Sequence, residues 1–210
     1  MHCPTHGPTG RVDRELGPRA MAAVMDVTDQ HAPAAASGTL PASWQQIDVL
    51  VNNAGHDIGG RKRFDLGTVD EWVNTIQTNV LGAIRVTHAL LPGMVDRGRG
   101  HIVNIGSIFG LEAHAGSAAY CTSKFAINGF SKAILDDFRG KGVRVTQILP
   151  GVTRTEFSET RWQGDQAAVD AFYRQFDQVL EPEDVARMVR FAVEQPAHVT
   201  ISDLVVIPAA

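Results

Sequence analysis

The sequence predicts an α/β domain whose core is a mostly parallel sheet. Short runs of β-branched residues alternate with long amphipathic stretches along the 210-residue chain, and this alternation is typical of strand–helix–strand units. Polar residues directly follow two of the apolar runs, at 52–55 and at Ser107. Because ligands bind beyond the carboxyl ends of the strands in open parallel sheets, we expect a small-molecule site at that edge.

The composition favours one soluble globular domain with a sizeable core. Hydrophobic residues make up 44% of the chain, charged residues make up 20%, and the net charge is -4. No basic excess indicates a nucleic-acid partner, and every apolar stretch is shorter than the roughly 20 residues that a membrane helix needs. The first 20 residues lack a signal-peptide core, so we expect a cytoplasmic protein with no membrane partner.

The cysteines and histidines predict neither disulfides nor a metal site. Cys3 and Cys121 are the only cysteines, which are too few for a disulfide framework and lack the paired spacing of zinc ligands. The eight histidines are scattered and form no close ligand pair. They are expected to be single solvated or buried side chains.

Five apolar runs are predicted to be strands, at residues 22–27, 47–51, 101–105, 143–148 and 204–207. The first predicted helix begins at a capping-box pattern, Thr68 with Glu71, and its apolar spacing continues to Leu91. Two more helices are expected at 117–138, ending near Gly140, and at 182–193. Residues 32–43, which are rich in Ala, Pro, Ser and Gly, form either a helix-poor connection or a degraded helix.

Tyr120 and Lys124 are the most informative pair in the chain. Four residues apart on the helix at 117–138, they would share one face. A tyrosine has an ordinary pKa of about 10, and a fixed positive charge beside it favours the phenolate. Taken alone, the spacing also fits a surface tyrosine and a solvated lysine. Ser107, thirteen residues upstream of Tyr120 at the end of a predicted strand, favours a proton-transfer site.

Residues 52–55, Asn-Asn-Ala-Gly, end the preceding predicted strand. Two amides, a small residue and a glycine let a flat ligand approach the backbone closely. The alternative is an ordinary turn after a strand.

These motifs, in this order, resemble the short-chain dehydrogenase/reductase family. The resemblance covers nearly everything from Val24 onward. It rests on Asp26, Val27, residues 52–55, Asn79, Ser107, Tyr120, Lys124, Pro150, Gly151 and Thr155. Residues 91–95, 100–107, 155–158 and 196–199 are similar to the branch of NADP-dependent 3-hydroxy acid, or serine, dehydrogenases.

The resemblance implies a Rossmann-like fold, with helices on both faces of the sheet, and an NAD(P)-dependent oxidoreductase. Hydride would pass between a cofactor, NADP or NAD, and a secondary alcohol or carbonyl, with 3-hydroxy acids as the implied substrate class. Tyr120 would be the general acid and base, and Ser107 would hydrogen-bond the substrate oxygen. Lys124 would lower the pKa of the phenol and grip the nicotinamide ribose. Asn79 would kink a long helix and hold a water next to the lysine. The alternative interpretation is that Asn79 is an ordinary polar residue on the exposed side of a helix.

Further cofactor contacts follow from the same resemblance. Asp26 and the backbone of Val27 would bind the adenine. The adenine ribose side would be lined by Asn53, Ala54 and Gly55. The nicotinamide carboxamide would be bordered by Pro150, Gly151 and Thr155. The family also implies a homo-oligomer, a tetramer.

Arg161 is a further candidate for the site that the family resemblance does not imply. A guanidinium beyond Phe157 would bind the carboxylate of a hydroxy acid bidentately. The alternative is a solvated arginine on a mobile loop.

The amino end departs from the family pattern. Members open with a strand and a glycine-rich turn that holds the pyrophosphate at a helix terminus, whereas Thr9-Gly10 is followed by charged residues. We therefore expect an irregular, non-family segment at 1–20 and a partial dinucleotide-binding domain at 21–210, truncated so that the first two strands and first helix are missing. The strand at 47–51 would then have an unpaired edge and an uncovered face. Two hypotheses remain, an NAD(P)-dependent oxidoreductase and a non-catalytic truncated homologue or interaction protein unable to bind the dinucleotide.

Overall fold

The computed structural model describes residues 17–209 and builds them around a four-stranded sheet. The strands are β1 (Val49–Asn52), β2 (Gly100–Ile105), β3 (Val143–Pro150) and β4 (Asp203–Val206). They lie side by side in chain order, and every pairing is parallel. Four of the five predicted strands are confirmed, with ends that differ by one or two residues. Cys3 and the Thr9-Gly10 pair lie outside the described residues, and the division of the chain at residue 20 stays a prediction.

The predicted strand at 22–27 is wrong, because those residues form no strand and end in a turn. Oδ1 of Asp26 accepts hydrogen bonds from the backbone N–H and the hydroxyl of Thr28, at 2.8 and 2.7 Å. A strand needs a neighbour for its backbone groups. Within residues 17–209, β1 pairs only with β2, so no described strand lies where 22–27 would pair.

The seven α-helices between residues 17 and 209 are α1 (Ala32–Thr39), α2 (Val69–Ile76), α3 (Ala83–Asp96), α4 (Ala118–Asp137), α5 (Glu156–Arg161), α6 (Gln166–Tyr173) and α7 (Pro182–Val193). The π-helical turn Gln77–Gly82 joins α2 to α3. Helix α1 decides the open alternative for residues 32–43 in favour of a helix. None of the described helices is both long and apolar enough to span a membrane.

Local signals set the helix ends that the sequence predicted. The Thr68 hydroxyl accepts from the Glu71 N–H, and the Glu71 carboxylate accepts from the Thr68 N–H, which completes the capping box of α2. At α7 the first residue is Pro182, and the Asp184 carboxylate accepts from the Glu181 N–H at 2.8 Å. Helix α4 ends at Asp137, three residues before Gly140, whose φ is +77°.

Helices lie on both faces of the sheet. Helices α3 and α4 bury one face, and the core there comprises Leu50, Val86, Met94, Ile102, Ile134, Val143 and Val145. Side chains alternate along a strand, so Arg144 of β3 points to the other face. There it donates to the backbone carbonyls of Val193, Gln195 and Val199, at and beyond the end of α7. The fold is therefore Rossmann-like, as expected.

The other face of β1 is open. Leu50 is buried in the core, whereas Val49 and Val51 are 37% and 42% exposed. The sequence predicted this uncovered face for the strand at 47–51. The carboxyl ends of all four strands meet at one edge of the sheet, and the predicted site residues follow those ends.

Candidate active site

Four predicted catalytic residues converge beyond the end of β2. Tyr120 and Lys124 lie in the first two turns of α4, Ser107 follows β2, and Asn79 lies in the π-helical turn. All four side chains are buried. The sequence motifs therefore identified one cluster of the folded chain.

Ser107 is held by the short turn that it begins. Its Oγ accepts a hydrogen bond from the Phe109 N–H at 3.2 Å, so its own hydroxyl hydrogen is free to donate. Gly110 closes this turn against α4, and a Cβ there would come within 2.7 Å of the Lys124 carbonyl oxygen. The glycine thus allows the loop that carries Ser107 to pack against the helix that carries Tyr120.

Asn79 ties the loop after β1 to α4. Its Oδ1 accepts from the His56 N–H at 2.8 Å, and its Nδ2 donates to the His56 carbonyl at 2.9 Å and to the Ser123 hydroxyl at 3.1 Å. Asn79 is only 3% exposed, so the alternative of an exposed polar residue is wrong. Its predicted role in holding a water stays a prediction.

Burial dominates the electrostatics of the pair on α4. It raises the pKa of Tyr120 to about 12, against the lowering effects of the Arg161 charge and of hydrogen bonding with Ser107. Burial also lowers the pKa of Lys124 to about 8. The Lys124 ammonium donates to the Ile105 carbonyl at 2.9 Å and lies 5.5 Å from the Tyr120 ring centroid. The role of Lys124 in lowering the pKa of the phenol stays a prediction, and Arg161 is the cation with the largest lowering effect in this structure.

Arg161 ends α5 and is 5% exposed, so the alternative of a solvated arginine is wrong. Its guanidinium carbon lies 5.6 Å from the Tyr120 ring centroid, and its Nε lies 3.0 Å from Oδ2 of Asp57. Burial raises the pKa of Asp57, and the charge of Arg161 opposes that rise. Sequence reasoning missed Asp57. The available signal was an acidic residue two positions after the glycine of the 52–55 motif.

The 52–55 motif divides into an inward and an outward part. The Asn52 side chain points into the fold, where its Nδ2 donates to Thr87 Oγ1 at 2.9 Å and to Asn104 Oδ1 at 2.8 Å. Asn53 and Ala54 are exposed just beyond β1. Gly55 lies against Asn79, and a Cβ there would be 3.2 Å from Asn79 Oδ1. Only residues 53–55 are therefore placed to line a ligand.

The other predicted cofactor residues are distributed around the same edge. Asp26 is exposed in its turn. Val27 packs so closely on the π-helical turn that a Cβ at Gly82 would lie 2.7 Å from its side chain. Pro150 ends β3, the N–H of Gly151 donates to Val206 at 2.8 Å, and Thr155 caps α5.

Comparisons with known proteins agree with this arrangement. A family model described as short chain dehydrogenase matches residues 9–166. The NADP-dependent 3-hydroxy acid dehydrogenase YdfG of Salmonella typhi is 41% identical over 195 residues, which cover 92% of this chain and 78% of that protein. Sulfoacetaldehyde reductase 2 of Chromohalobacter salexigens is 40% identical over 191 residues, covering 90% of this chain and 75% of that protein.

Solved structures give the same result. The closed form of serine dehydrogenase complexed with NADP+ superposes with a TM-score of 0.90 at 39% identity, over 94% of this chain and 79% of that one. Serine dehydrogenase from Escherichia coli gives a TM-score of 0.81 at 34% identity, over 95% and 81%. Because the family model spans most of the sequence and a relative is 41% identical over 92% of the chain, the chain belongs to the short-chain dehydrogenase family.

Proposed function

We propose that this protein is an NADP-dependent oxidoreductase that interconverts a 3-hydroxy acid and its carbonyl form, with Tyr120 as general acid and base. The observation that carries the proposal is the burial of Tyr120 between the Ser107 hydroxyl and the Arg161 guanidinium. A phenol in this environment can donate a proton to a substrate oxygen, or accept one from it, while the Ser107 hydroxyl donates a hydrogen bond to the same oxygen. The names of the two relatives above, an NADP-dependent dehydrogenase and a reductase of an anionic aldehyde, agree with this chemistry.

The donors of Lys124 fit the ribose end of the nicotinamide nucleotide. An ammonium has three N–H donors, and the Ile105 carbonyl uses one of them. The remaining donors suit the ribose hydroxyls, while Asn53, Ala54 and Gly55 suit the adenosine side and Pro150, Gly151 and Thr155 suit the carboxamide. NADP, when bound there, supplies the hydride acceptor.

Tyr120 and Ser107 would both contact the substrate oxygen, the first for proton transfer and the second as a hydrogen-bond donor. Tyr120 takes the hydroxyl proton during oxidation and returns it during reduction. Ser107 donates its hydroxyl hydrogen to the same oxygen, while the Phe109 N–H, which donates to Ser107 Oγ, holds the side chain in place. The loss of one such preorganised donor typically costs about 3 kcal/mol of transition-state stabilisation.

Arg161 supplies the recognition of the acid. Its Nε is in ion contact with Oδ2 of Asp57 at 3.0 Å, which leaves the two terminal nitrogens of the guanidinium for a ligand. A planar guanidinium can bind a carboxylate through two parallel hydrogen bonds. Bound this way, the acid group would sit beside the phenol, with the hydroxyl carbon within reach of Tyr120.

The alternative is a non-catalytic family member that does not hold the dinucleotide. The open face of β1, at Val49 and Val51, is the observation that favours it. One experiment separates the two hypotheses. Purified protein is titrated with NADPH, its fluorescence is followed, and NADP reduction is then measured with 3-hydroxybutanoate. Quenching together with turnover supports the enzyme, whereas the absence of both supports the alternative.

A homo-oligomer, implied by the resemblance, is also part of the proposal. Apolar side chains that are at least 45% exposed lie on α2, on α4 and on or directly after β4, and they are Val69, Val73, Phe125, Val205 and Ile207. Burying such surfaces would favour association. Light scattering on the purified protein tests this, and a monomeric mass at micromolar concentration would contradict it.

A further inference from the structure

Arg61 places a second positive charge beside the site. Its guanidinium carbon lies 5.1 Å from the ring centroid of Phe109 and 5.4 Å from that of Phe172. Arg61 forms no ion pair with any residue in the described part of the chain. This charge is separate from the groups assigned above to proton transfer and carboxylate binding.

Aromatic rings connect Arg61 to the catalytic tyrosine. The Phe109 ring packs edge-on against Tyr120, with 5.7 Å between centroids. The Phe172 ring contacts both arginines, since the guanidinium carbon of Arg161 lies 5.8 Å from its centroid. Arg161 itself lies against Tyr120. The two guanidinium groups therefore share one ring and lie near the same phenol.

The backbone on both sides of Arg61 is fastened to the rest of the fold. Gly60 has a φ of +68°, and a Cβ there would lie 3.4 Å from Nε1 of Trp162, the residue after Arg161. On the other side, the Lys62 N–H donates to the Gly116 carbonyl at 2.9 Å, and the Lys62 ammonium pairs with Glu71 at 2.8 Å. These contacts fix the start of the Arg61 side chain and leave its charged end unpaired.

The charges around Tyr120 do not balance. Asp57 is in ion contact with Arg161, whereas Arg61 has no carboxylate of its own. Burial, together with repulsion from Arg161, lowers the pKa of Arg61. The cations Arg61, Arg161 and Lys124 are opposed by the carboxylate of Asp57, which leaves an excess of positive charge that an anionic ligand would offset.

We propose that Arg61 is a specificity-determining residue that joins Arg161 in binding the anionic head group of the substrate. This inference rests on the proposed function and deepens it by naming the substrate class as compact anionic alcohols and aldehydes, either carboxylates or sulfonates. Arg161 binds the anion from the buried side, and Arg61 binds it from the solvent side. Asp57 is a positioning residue that holds Arg161 in place.

The test compares R61M with R63M. Methionine keeps an apolar stem on the Phe109 ring and removes the charge. Arg63 is a matched control because it is two residues away, exposed, and paired with Asp65 at 2.6 Å. Each variant is assayed with 3-hydroxybutanoate, with 2-hydroxypropanesulfonate, and with the neutral isostere 3-hydroxybutanamide.

We expect R61M to lower kcat/KM for at least one of the two anions about 10- to 100-fold, chiefly through KM, as for the loss of one charge-assisted hydrogen bond. Activity with the amide should stay within about twofold, since R61M removes only the attraction between Arg61 and a negatively charged head group, and the amide has no charge. R61K should recover part of the loss, and R63M should match the wild type. The anion that suffers the larger loss identifies the preferred head group. Equal losses with anions and amide, or equal behaviour of R61M and R63M, would overturn the inference.

Calorimetry with 3-hydroxybutanoate and 2-hydroxypropanesulfonate separates this inference from the proposed function. If the wild type turns over no substrate, the proposed function fails, yet anion binding that is weakened in R61M and kept in R63M still supports the role of Arg61. If neither anion binds to the wild type, or if R61M binds them as the wild type does, the inference is wrong. Matching thermal unfolding midpoints of the wild type, R61M and R63M establish that the variants are folded.

Discussion

The guanidinium carbon of Arg161 lies 5.6 Å from the ring centroid of Tyr120, and both side chains are buried. Among the charges around the phenol, that of Arg161 lowers its pKa most. The Lys124 ammonium donates to the Ile105 carbonyl at 2.9 Å and lies 5.5 Å from the centroid of the same ring. In the function proposed above, Arg161 would therefore link substrate recognition to the ionisation of Tyr120.

Replacing Arg161 should shift the pH dependence of oxidation. A positive charge favours the phenolate, so R161Q should raise the pKa of Tyr120. Oxidation needs the phenolate, so the rising limb of the pH profile for oxidation should move to higher pH. The measurement is the pH profile of kcat/KM with the neutral substrate 3-hydroxybutanamide, which avoids the loss of carboxylate binding.

R154Q is the control for that profile. Arg154 lies over the ring of Tyr173, which is not the catalytic tyrosine, and forms a long, exposed contact with Glu181. Its removal should leave the profile in place. A profile for R161Q that overlies the wild type would show that Arg161 does not tune the phenol.

Asn79 should be required for stability. In N79A the N–H and carbonyl of His56 lose their partners, and a buried polar group left unsatisfied costs about 1–3 kcal/mol. We expect the free energy of unfolding in urea to fall by at least that amount. N53A, a change at an exposed residue of the same loop, should change it by less than about 0.5 kcal/mol. Equal effects of the two variants would argue against the bridging role.

His101 should make the fold sensitive to acid. It is almost fully buried between β2 and β3, and its Nε2 lies 2.8 Å from the Thr146 hydroxyl. That hydroxyl donates to the Ile201 carbonyl, so it accepts from Nε2–H of His101. Burial, aided by the charge of Arg144, lowers the pKa of His101 to about 4.

The sign of the pH effect follows from that value. Between the folded pKa of about 4 and the ordinary value of about 6.5, the unfolded chain binds more protons than the folded one. Stability is complete above the upper value and falls as the pH drops through this window, by up to about 3 kcal/mol. H101Q should flatten this dependence when urea unfolding is measured at several pH values. The same slope in H101Q and the wild type would rule out His101 as its source.

The parts of the fold that the sequence predicted well are those that local signals determine. The capping boxes at Thr68 and Glu181 and the glycine after α4 act within one helical turn. Strands β2 and β3 are rich in Ile and Val because both of their faces are almost entirely buried. Helices α5 and α6 were missed because they are only six and eight residues long. Their caps, Thr155 and Asp165, were the available signals.

The parts that were missed depend on contacts between distant residues. Residues 22–27 have the composition of a strand, but a strand forms only where a neighbour supplies hydrogen bonds. The roles of Asp57 and Arg61 arise from packing against α5 and Phe172, more than 100 residues away in the chain. The orientation of Lys124 depends likewise on the Ile105 carbonyl. Motif spacing placed Tyr120 and Lys124 on one helix without showing which cation acts on the phenol.

The role of Tyr120 as general acid and base is tested most directly by comparing turnover and cofactor binding in Y120F and the wild type. This change removes only the phenolic oxygen, so we predict that NADP reduction with 3-hydroxybutanoate falls about 10²- to 10⁴-fold. NADPH binding, measured by fluorescence quenching, should stay within about twofold of the wild type. A Y120F protein that keeps wild-type turnover would contradict Tyr120 as the general acid and base.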